Sequence, residues 1–230
     1  MQGDHKKERR RYDYKSDDSE MAEEYSMKKL HFDEEQLKQR LQGLQPAART
    51  ALAAACAERL RAAYVSFAIR RRRKTDAAEF EAVLDRVWSD AMGESMSPRE
   101  VGDALKKVMR LIPDEDEGTW EDAQAPADDA GAALGYALRY LKTGESQEVA
   151  WAARRAYEAA DYWVTHAGGV DVNGPEGEKR ALHHPVVQAE LKRQEADLEE
   201  LESADASSIG KVIARIRERA RKDASQTGKR

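Results

Sequence analysis

Apolar side chains recur every three or four positions from Leu30 to about residue 222, which is the spacing of one face of an α-helix. The runs are separated by prolines, glycines and N-capping residues, which are the ordinary signals at helix ends. No segment shows the alternation of polar and apolar residues that marks a half-buried strand. The pattern therefore predicts an all-α chain of about eight helices, packed as a compact single-domain bundle.

Local signals place the helix boundaries. The sequence Ser97-Pro98-Arg99-Glu100 combines a capping serine, a proline at the first helical position and the glutamate of a capping box. A glycine-rich loop is expected between Gly168 and Lys179. The other predicted helices begin at Asp33, Pro46 and Asp76, cover residues 126–143 and 146–166, and begin again at Pro185 and at Asp205 or Ser207.

Alanine supplies much of the apolar content. The chain has 38 alanines, against 36 residues of Leu, Ile, Val and Phe together. So few large aliphatic residues would indicate disorder if the net charge were high, but 39 basic residues nearly balance 44 acidic ones. Because alanine is the best helix former, the composition favours closely packed helices over an unfolded chain or an all-β fold.

Charge divides the chain into three parts. Residues 1–29 hold eight acidic and eight basic residues with almost no aliphatic ones, and we expect a disordered tail there. In terms of structure, residues 30–222 form the predicted helical domain, and residues 223–230 a flexible C-terminus. In terms of charge, the division falls earlier, at the start of the last predicted helix: the net charge of residues 30–207 is −11, whereas residues 208–230 carry +6. The sequence therefore predicts an acidic body with a basic last helix.

The ends and the single cysteine bear on the compartment. The first residues lack the apolar stretch of a secretory signal, and no stretch approaches the roughly 20 apolar residues of a membrane span. Cys56 has no partner for an internal disulfide and lies in an alanine-rich run, which favours a small buried side chain. We expect a cytoplasmic protein with no membrane partner.

Known catalytic, metal and cofactor motifs are missing from the sequence. There is no His-Glu-x-x-His, no paired cysteines and no glycine-rich phosphate loop, so no catalytic residue, metal or cofactor is predicted. His183 and His184 precede a helix, where capping or a surface position is favoured over metal binding. Convergence of two carboxylates in the folded chain, or a pocket at His166, would revive an enzyme hypothesis.

Several short motifs follow one another in a distinctive order: Cys56–Leu60 with Tyr64 and Phe67, Leu84–Trp88, Leu111–Pro113, Asp129–Ala130, Leu141–Glu145 and His184–Val187. This order resembles the YjaG-like family, which is known as domain of unknown function 416. The resemblance spans roughly residues 30–222 and implies an all-helical cytoplasmic bacterial protein, with a homodimer left open and no catalytic residues to carry over. Gly131 departs from it, since a cysteine would be expected there, and so does the charged tail.

An acidic body without catalytic motifs indicates a protein that binds a basic protein partner. Carboxylates would speed association with such a partner, and an exposed tryptophan would anchor it. The sharpest expectation is an immunity protein, an antidote that blocks a cognate bacterial toxin. The alternatives are a housekeeping cytoplasmic protein and one that meets nucleic acid through its basic ends, which the acidic body disfavours. The predicted partner-binding residues are Asp114, Glu115, Asp116, Glu117, Trp120, Glu121, Asp122, Asp128 and Asp129.

Overall fold

The computed structural model describes residues 29–113, 124–171, 173–174 and 176–227, and its regular structure within these ranges is entirely helical. The predicted all-α class is therefore confirmed, and the described residues form nine helices. In chain order they are α1 (Glu34–Gln42), α2 (Pro46–Arg70), α3 (Lys74–Ala91), α4 (Pro98–Leu111), α5 (Gln124–Thr143), α6 (Ser146–His166), α7 (Gly177–Leu182), α8 (Pro185–Glu202) and α9 (Ile209–Thr227).

Several predicted boundaries are confirmed. The helix predicted over residues 146–166 is α6, and Asp33 caps α1 by accepting a hydrogen bond from the Gln36 amide at 2.9 Å. The capping box of α4 is complete, since the Glu100 amide donates to Ser97 Oγ at 3.3 Å and the Ser97 amide donates to Glu100 Oε2 at 2.7 Å. His184 is the N-cap of α8.

Three boundaries differ from the prediction. The glycine-rich segment contains the short helix α7, which begins at Gly177, so part of the predicted loop is helical. Helix α3 begins at Lys74, which places Asp76 in its first turn rather than at its cap. Helix α9 begins at Ile209 after a turn in which Asp205 accepts hydrogen bonds from two following amides, and it continues to Thr227.

Helix α2 runs through the centre of the bundle and packs against α3, α5, α6, α8 and α9. Its alanines allow this crowding, because Ala51, Ala53, Ala54, Ala55 and Ala57 are all fully buried. Small side chains let neighbouring helix axes approach closely while the backbones keep their hydrogen bonds. The alanines that dominate the composition are thus the spacers of the core.

The end of α4 is fixed to the core by two contacts. The hydroxyl of Tyr64, which is itself stacked on Phe80, donates a hydrogen bond to the Leu111 carbonyl at 2.9 Å. On the other side, Gly131 of α5 lies so close to Ile112 that a Cβ at position 131 would be 2.9 Å from Ile112 Cγ1. Glycine is therefore the residue that permits α5 to pack against the end of α4.

A buried ion cluster joins α2 to α8. Arg59 pairs with Asp197 through an Nη1–Oδ2 distance of 2.8 Å, and its Nε donates to Glu190 Oε1 at 3.1 Å. Its Nη2 also donates to Cys56 Sγ at 3.3 Å, and Gln194 donates to Glu190 Oε1 at 2.9 Å. These five residues form the Arg59 cluster, in which the arginine side chain is only 5% exposed.

Cys56 lies inside this cluster rather than at a reactive surface. It is fully buried, and burial raises the pKa of its thiol to about 12, although Arg59 lowers the pKa slightly in turn. Because the thiolate is the reactive form, a thiol with so high a pKa is chemically inert at neutral pH. The sequence-based expectation of a small buried side chain is confirmed.

Candidate protein-binding face

Helices α5 and α6 pack side by side and are joined by the two-residue turn Gly144–Glu145, in which Gly144 has a φ of 73°. Their inner sides bury alanines together with Leu134, Leu138 and Val149, and the outer side of the pair carries partly exposed side chains. That outer side carries two clusters, one towards the start of α5 and one towards its end. We call it the α5–α6 face and define it by Asp128, Asp129, Tyr136, Arg139, Glu148, Trp151, Arg155 and Glu158.

At the start of α5, three carboxylates meet one guanidinium. Arg155 Nη1 lies 3.1 Å from Asp129 Oδ1, 3.9 Å from Asp128 Oδ2 and 3.6 Å from Glu158 Oε2. Arg154, which precedes Arg155 on α6, lies 2.8 Å from Glu158 and 3.2 Å from Glu34, so two arginines face four carboxylates and this region is acidic when all six groups are ionised. Asp128, Arg155 and Glu158 are partly exposed, so a basic partner has access to the excess negative charge.

Asp129 differs from its neighbours because it is buried, with 7% of the residue exposed. Burial raises the pKa of its carboxyl group to about 7, and Arg155 only partly offsets this. Nearby Asp161 also has a raised pKa, because of burial and then the charge of Glu158. The carboxyl of Asp129 therefore changes ionisation near neutral pH, at the edge of a surface that faces solvent.

At the other end of the face, aromatic rings hold an arginine. Tyr136 and Trp151 have ring centroids 5.4 Å apart at an interplanar angle of 50°. The guanidinium carbon of Arg139 lies 5.6 Å from the centroid of Tyr136 and 5.8 Å from that of Trp151. Arg139 also pairs with Glu148, at 2.9 Å between Nη2 and Oε1. Both rings are partly exposed, so this end offers aromatic surface to a partner.

The structure places the predicted partner-binding residues unequally. Asp128 lies half-exposed on the α5–α6 face, and Asp129 is buried beside it against Arg155. The remaining predictions lie outside the described residues: Asp114, Glu115, Asp116, Glu117, Trp120, Glu121 and Asp122. Sequence reasoning did not include Tyr136, Arg139, Glu148 and Trp151, which come together only because α5 and α6 pair. The i, i+3 spacing of Tyr136 with Arg139, and of Glu148 with Trp151, was the available signal.

Cations also converge at one end of the bundle. Lys107 and Arg110 at the end of α4 lie 3.8 and 3.7 Å from Glu79 near the start of α3. This brings α4 beside the basic stretch that links α2 to α3. Ile69 and Met109, which are 51% and 58% exposed, lie in the same part of the chain. We call this the basic end and define it by Arg70, Arg72, Lys74, Lys106, Lys107 and Arg110.

The basic last helix, by contrast, is neutralised by the body. Its arginines lie across from carboxylates of α3 and α8, so the +6 of the C-terminal residues does not form a free cationic surface along α9. Arg193 of α8 pairs in turn with Asp223 at 3.2 Å. The ion pairs of α9 are Arg215–Glu200, Arg217–Asp85, Arg219–Asp197, Arg219–Glu200 and Arg221–Asp85, with N–O distances of 2.6 to 3.0 Å.

Converging carboxylates and a pocket at His166 would have supported an enzyme hypothesis, and the structure places His166 apart from the carboxylate clusters. A cleft between residues 30–33 and α8 contains Arg40, which is paired with Glu195 and Glu202. His166 is exposed at the end of α6 and stacks on Tyr162 with centroids 3.9 Å apart. Carboxylates converge around Arg40 at the cleft, around Arg59 in the buried cluster and around Arg155 on the outer side of α6, and in each place an arginine lies between them.

Two further observations concern metals and membranes. No group of three or more metal-ligating side chains is arranged for an ion in the part of the chain that the structure describes. None of the helices described above combines the length and the apolar composition that a membrane span requires.

The comparisons with known proteins address the family. A family model described as "Protein of unknown function (DUF416)" matches residues 36–227. The fold is similar to the crystal structure of a DUF416 family protein from Shewanella baltica OS155, with a TM-score of 0.66 and 17% sequence identity. The similarity covers 79% of this chain and 93% of that one, and no curated protein matches the chain. The resemblance inferred from the motifs is thus confirmed: the chain belongs to the DUF416 family of proteins of unknown function.

Proposed function

We propose that this chain is a non-enzymatic cytoplasmic protein that binds a basic protein partner through the α5–α6 face. In its sharpest form the proposal is an immunity protein, which neutralises a cognate bacterial toxin by covering its active site or its basic substrate groove. The observation that carries the proposal is the combination on one face of partly exposed Trp151 and Tyr136 with an excess of carboxylates around Arg155.

The two clusters would contribute differently to binding. Tryptophan and tyrosine are among the residues that most often dominate interface energies, and one of each lies at the Arg139 end. Carboxylates act mainly on the association rate and on the choice of partner. The acidic residues Asp114–Glu117 and Glu121–Asp122 lie outside the described residues, and on sequence grounds they stay predicted contributors to the attraction of a basic partner.

The proposal is tested by recovering the partner. The tagged full-length chain should capture a stoichiometric basic protein from the cell that encodes it, and Trp151→Ala should reduce the affinity by about tenfold or more. Tyr157→Ala is the matched control, because Tyr157 is also a partly exposed aromatic residue of α6 but stacks on Phe32, which precedes α1, and not on the α5–α6 face. Equal loss in both variants, or capture that does not depend on Trp151, would contradict this assignment of the face.

A second copy of the chain is the other occupant to test. If the α5–α6 face formed a homodimer, light scattering would give twice the chain mass, and Trp151→Ala would return it to the monomer mass. A dimer that persists in that variant uses another surface and leaves the face available to a partner.

The basic end supports a second candidate function, binding to a polyanion such as nucleic acid. Arg70, Arg72 and Lys74 have no carboxylate partner among the described residues, and three cations of α4 lie beside them. The affinity for a polyanion bound by these cations would fall steeply as the salt concentration rises. Replacing Arg70, Arg72 and Lys74 with alanine would make the affinity depend less on salt. Lys211→Ala is the control, since Lys211 is an exposed cation of α9. Salt-independent or unchanged binding would reject this candidate.

A further inference from the structure

We infer that Tyr136, Trp151 and Glu148 form a binding pocket for a guanidinium group, which Arg139 of the same chain fills and from which an arginine of the protein partner displaces it. The identification of the incoming group as a partner's side chain rests on the proposed function. The pocket itself rests on the geometry of these four residues.

Arg139 occupies the pocket as a bound cation would. Its guanidinium lies beside both aromatic rings, at 5.6 and 5.8 Å from their centroids, which is the geometry of a cation–π interaction. Its charge is balanced by Glu148, whose side chain is only 6% exposed. Two aromatic rings and one buried carboxylate are the elements from which proteins build sites for organic cations.

The pairing between Arg139 and Glu148 is incomplete. Arg139 donates from Nε to Glu148 Oε1 at 3.1 Å, and its Nη2 lies 2.9 Å from the same oxygen. The second oxygen, Oε2, is buried and has no hydrogen-bond partner in the described structure. A guanidinium can satisfy both oxygens of a carboxylate with two parallel bonds, but Arg139 reaches only one of them from its position on α5.

The unpaired Oε2 of Glu148 favours replacement of Arg139 by a guanidinium that can bond both oxygens of this carboxylate. A guanidinium that enters from solvent is free of the α5 backbone, so it can orient to bond both oxygens of Glu148 and still stack on the rings. Arg139 is 47% exposed and has no other carboxylate partner in the described structure, so it can turn into water with little loss. Lysine would fit less well, because its ammonium group neither stacks on rings nor forms parallel bonds.

The experiment removes the internal occupant and adds a small probe. Methylguanidinium is titrated into Arg139→Ala while the indole N–H resonance of Trp151, assigned with Trp151→Phe, is followed by NMR. We expect a saturable shift in the millimolar range, and at least about tenfold weaker binding to the wild-type chain because Arg139 competes. Arg139→Gln gives the same test if the alanine variant folds poorly.

Two variants control the result. The double variant Arg139→Ala with Glu148→Gln should lose about tenfold in affinity for the probe, since the carboxylate supplies the charge-assisted bonds. Arg154→Ala, which removes an exposed arginine of α6 that pairs with Glu158, should behave as the wild type does. The proposal is overturned if Arg139→Ala shows no saturable shift, or if the probe binds equally well without the carboxylate.

The partner gives a separate readout. Once it is known, Arg139→Ala should bind it at least as tightly as the wild-type chain does, whereas Glu148→Gln should weaken the complex. If Arg139→Ala lost about tenfold or more in affinity for the partner, Arg139 would itself be an interface anchor. That result would overturn the proposal that a partner's arginine displaces it. If the probe binds as expected but no partner is recovered, the pocket stands and the proposed function fails.

Discussion

Two arginine–carboxylate clusters in this bundle differ in how completely they are paired. In the Arg59 cluster, the guanidinium is buried and bonds two carboxylates and a thiol, while Gln194 and Arg219 bond the same carboxylates from other helices. In the Arg139 cluster, the guanidinium is about half exposed and bonds one oxygen of one carboxylate. The first cluster is closed to solvent, and the second is open on one side.

The difference indicates which cluster holds the fold and which can bind a partner. A buried charge whose partner is removed is strongly destabilising, so the Arg59 cluster fixes one arrangement of α2, α8 and α9. A pair whose arginine is half exposed is partly screened by water, so it contributes less to stability and its geometry is freer to serve recognition. Replacing single residues in each cluster therefore tests this division, and the expected effects fall in order from the closed cluster to the open one.

The largest effect is expected for Arg59→Ala. This change leaves Glu190 and Asp197 buried beside an empty volume, and we expect the free energy of unfolding to fall by about 3–5 kcal/mol. Urea denaturation followed by circular dichroism measures it. Labelling of Cys56 by a thiol reagent should become faster in the same variant, because the thiol loses its cover. A loss below about 1 kcal/mol would show that the cluster is dispensable for the fold.

An intermediate effect is expected from the ionisation of Asp129. Its folded-state pKa of about 7 lies above the ordinary value of 3.8. The stability linked to its protonated form is therefore fully present below about pH 4 and is lost as the pH rises to about 7. Between pH 5 and pH 8, we expect the wild-type chain to lose about 2 kcal/mol relative to Asp129→Asn. Urea titrations of both proteins at several pH values measure this, and parallel profiles would refute the assignment.

Arg219→Ala probes the edge of the closed cluster. Arg219 bonds Asp197 Oδ1 at 2.6 Å but is partly exposed, and Arg59 still pairs with the other oxygen of Asp197 after the change. We expect a loss of about 1–2 kcal/mol, between the values for a buried and a surface pair. Arg215→Ala, which removes a more exposed arginine of the same helix, is the control for denaturation and should lose less. Equal losses in the two variants would mean that the burial of an arginine does not determine how much its ion pairs contribute to stability.

The smallest effect on stability is expected for Arg139→Ala. The change leaves Glu148, which is 6% exposed, without its cation, but Arg139 is itself 47% exposed, so the free energy of unfolding should fall by only about 1 kcal/mol. Thermal and urea denaturation of this variant beside Arg59→Ala make the comparison direct. A loss as large as that of Arg59→Ala would assign the Arg139 cluster to the fold rather than to recognition.

Local sequence signals predicted much of the helical order. The capping box at Ser97 and the boundaries of α6 are set by short-range patterns, in which a few neighbouring residues decide where a helix begins and ends. Helix α7 was not predicted, because Gly177 and its glycine-rich neighbours indicate a turn, and tertiary packing of Ala181 under the start of α8 overrides that preference.

The residue pairs that define the two clusters could not be predicted from the sequence. Arg59 lies 131 residues from Glu190 along the chain, and nothing in an alanine-rich run indicates a partner on α8. Trp151 lies partly exposed beside Tyr136 because α5 and α6 pair in one register, which no pattern within either helix indicates. Sequence identified the chemical types available, whereas the contacts depended on which helices meet.

The contact between Gly131 and Ile112 has a consequence for the family as a whole. Because a Cβ at position 131 would be 2.9 Å from Ile112 Cγ1, the two positions cannot both carry large side chains at this separation. We therefore expect them to covary among DUF416 proteins: a relative with a cysteine at position 131 should have a smaller residue than isoleucine at position 112. Gly131, where the resemblance to the family implies a cysteine, would then be one half of a compensated pair.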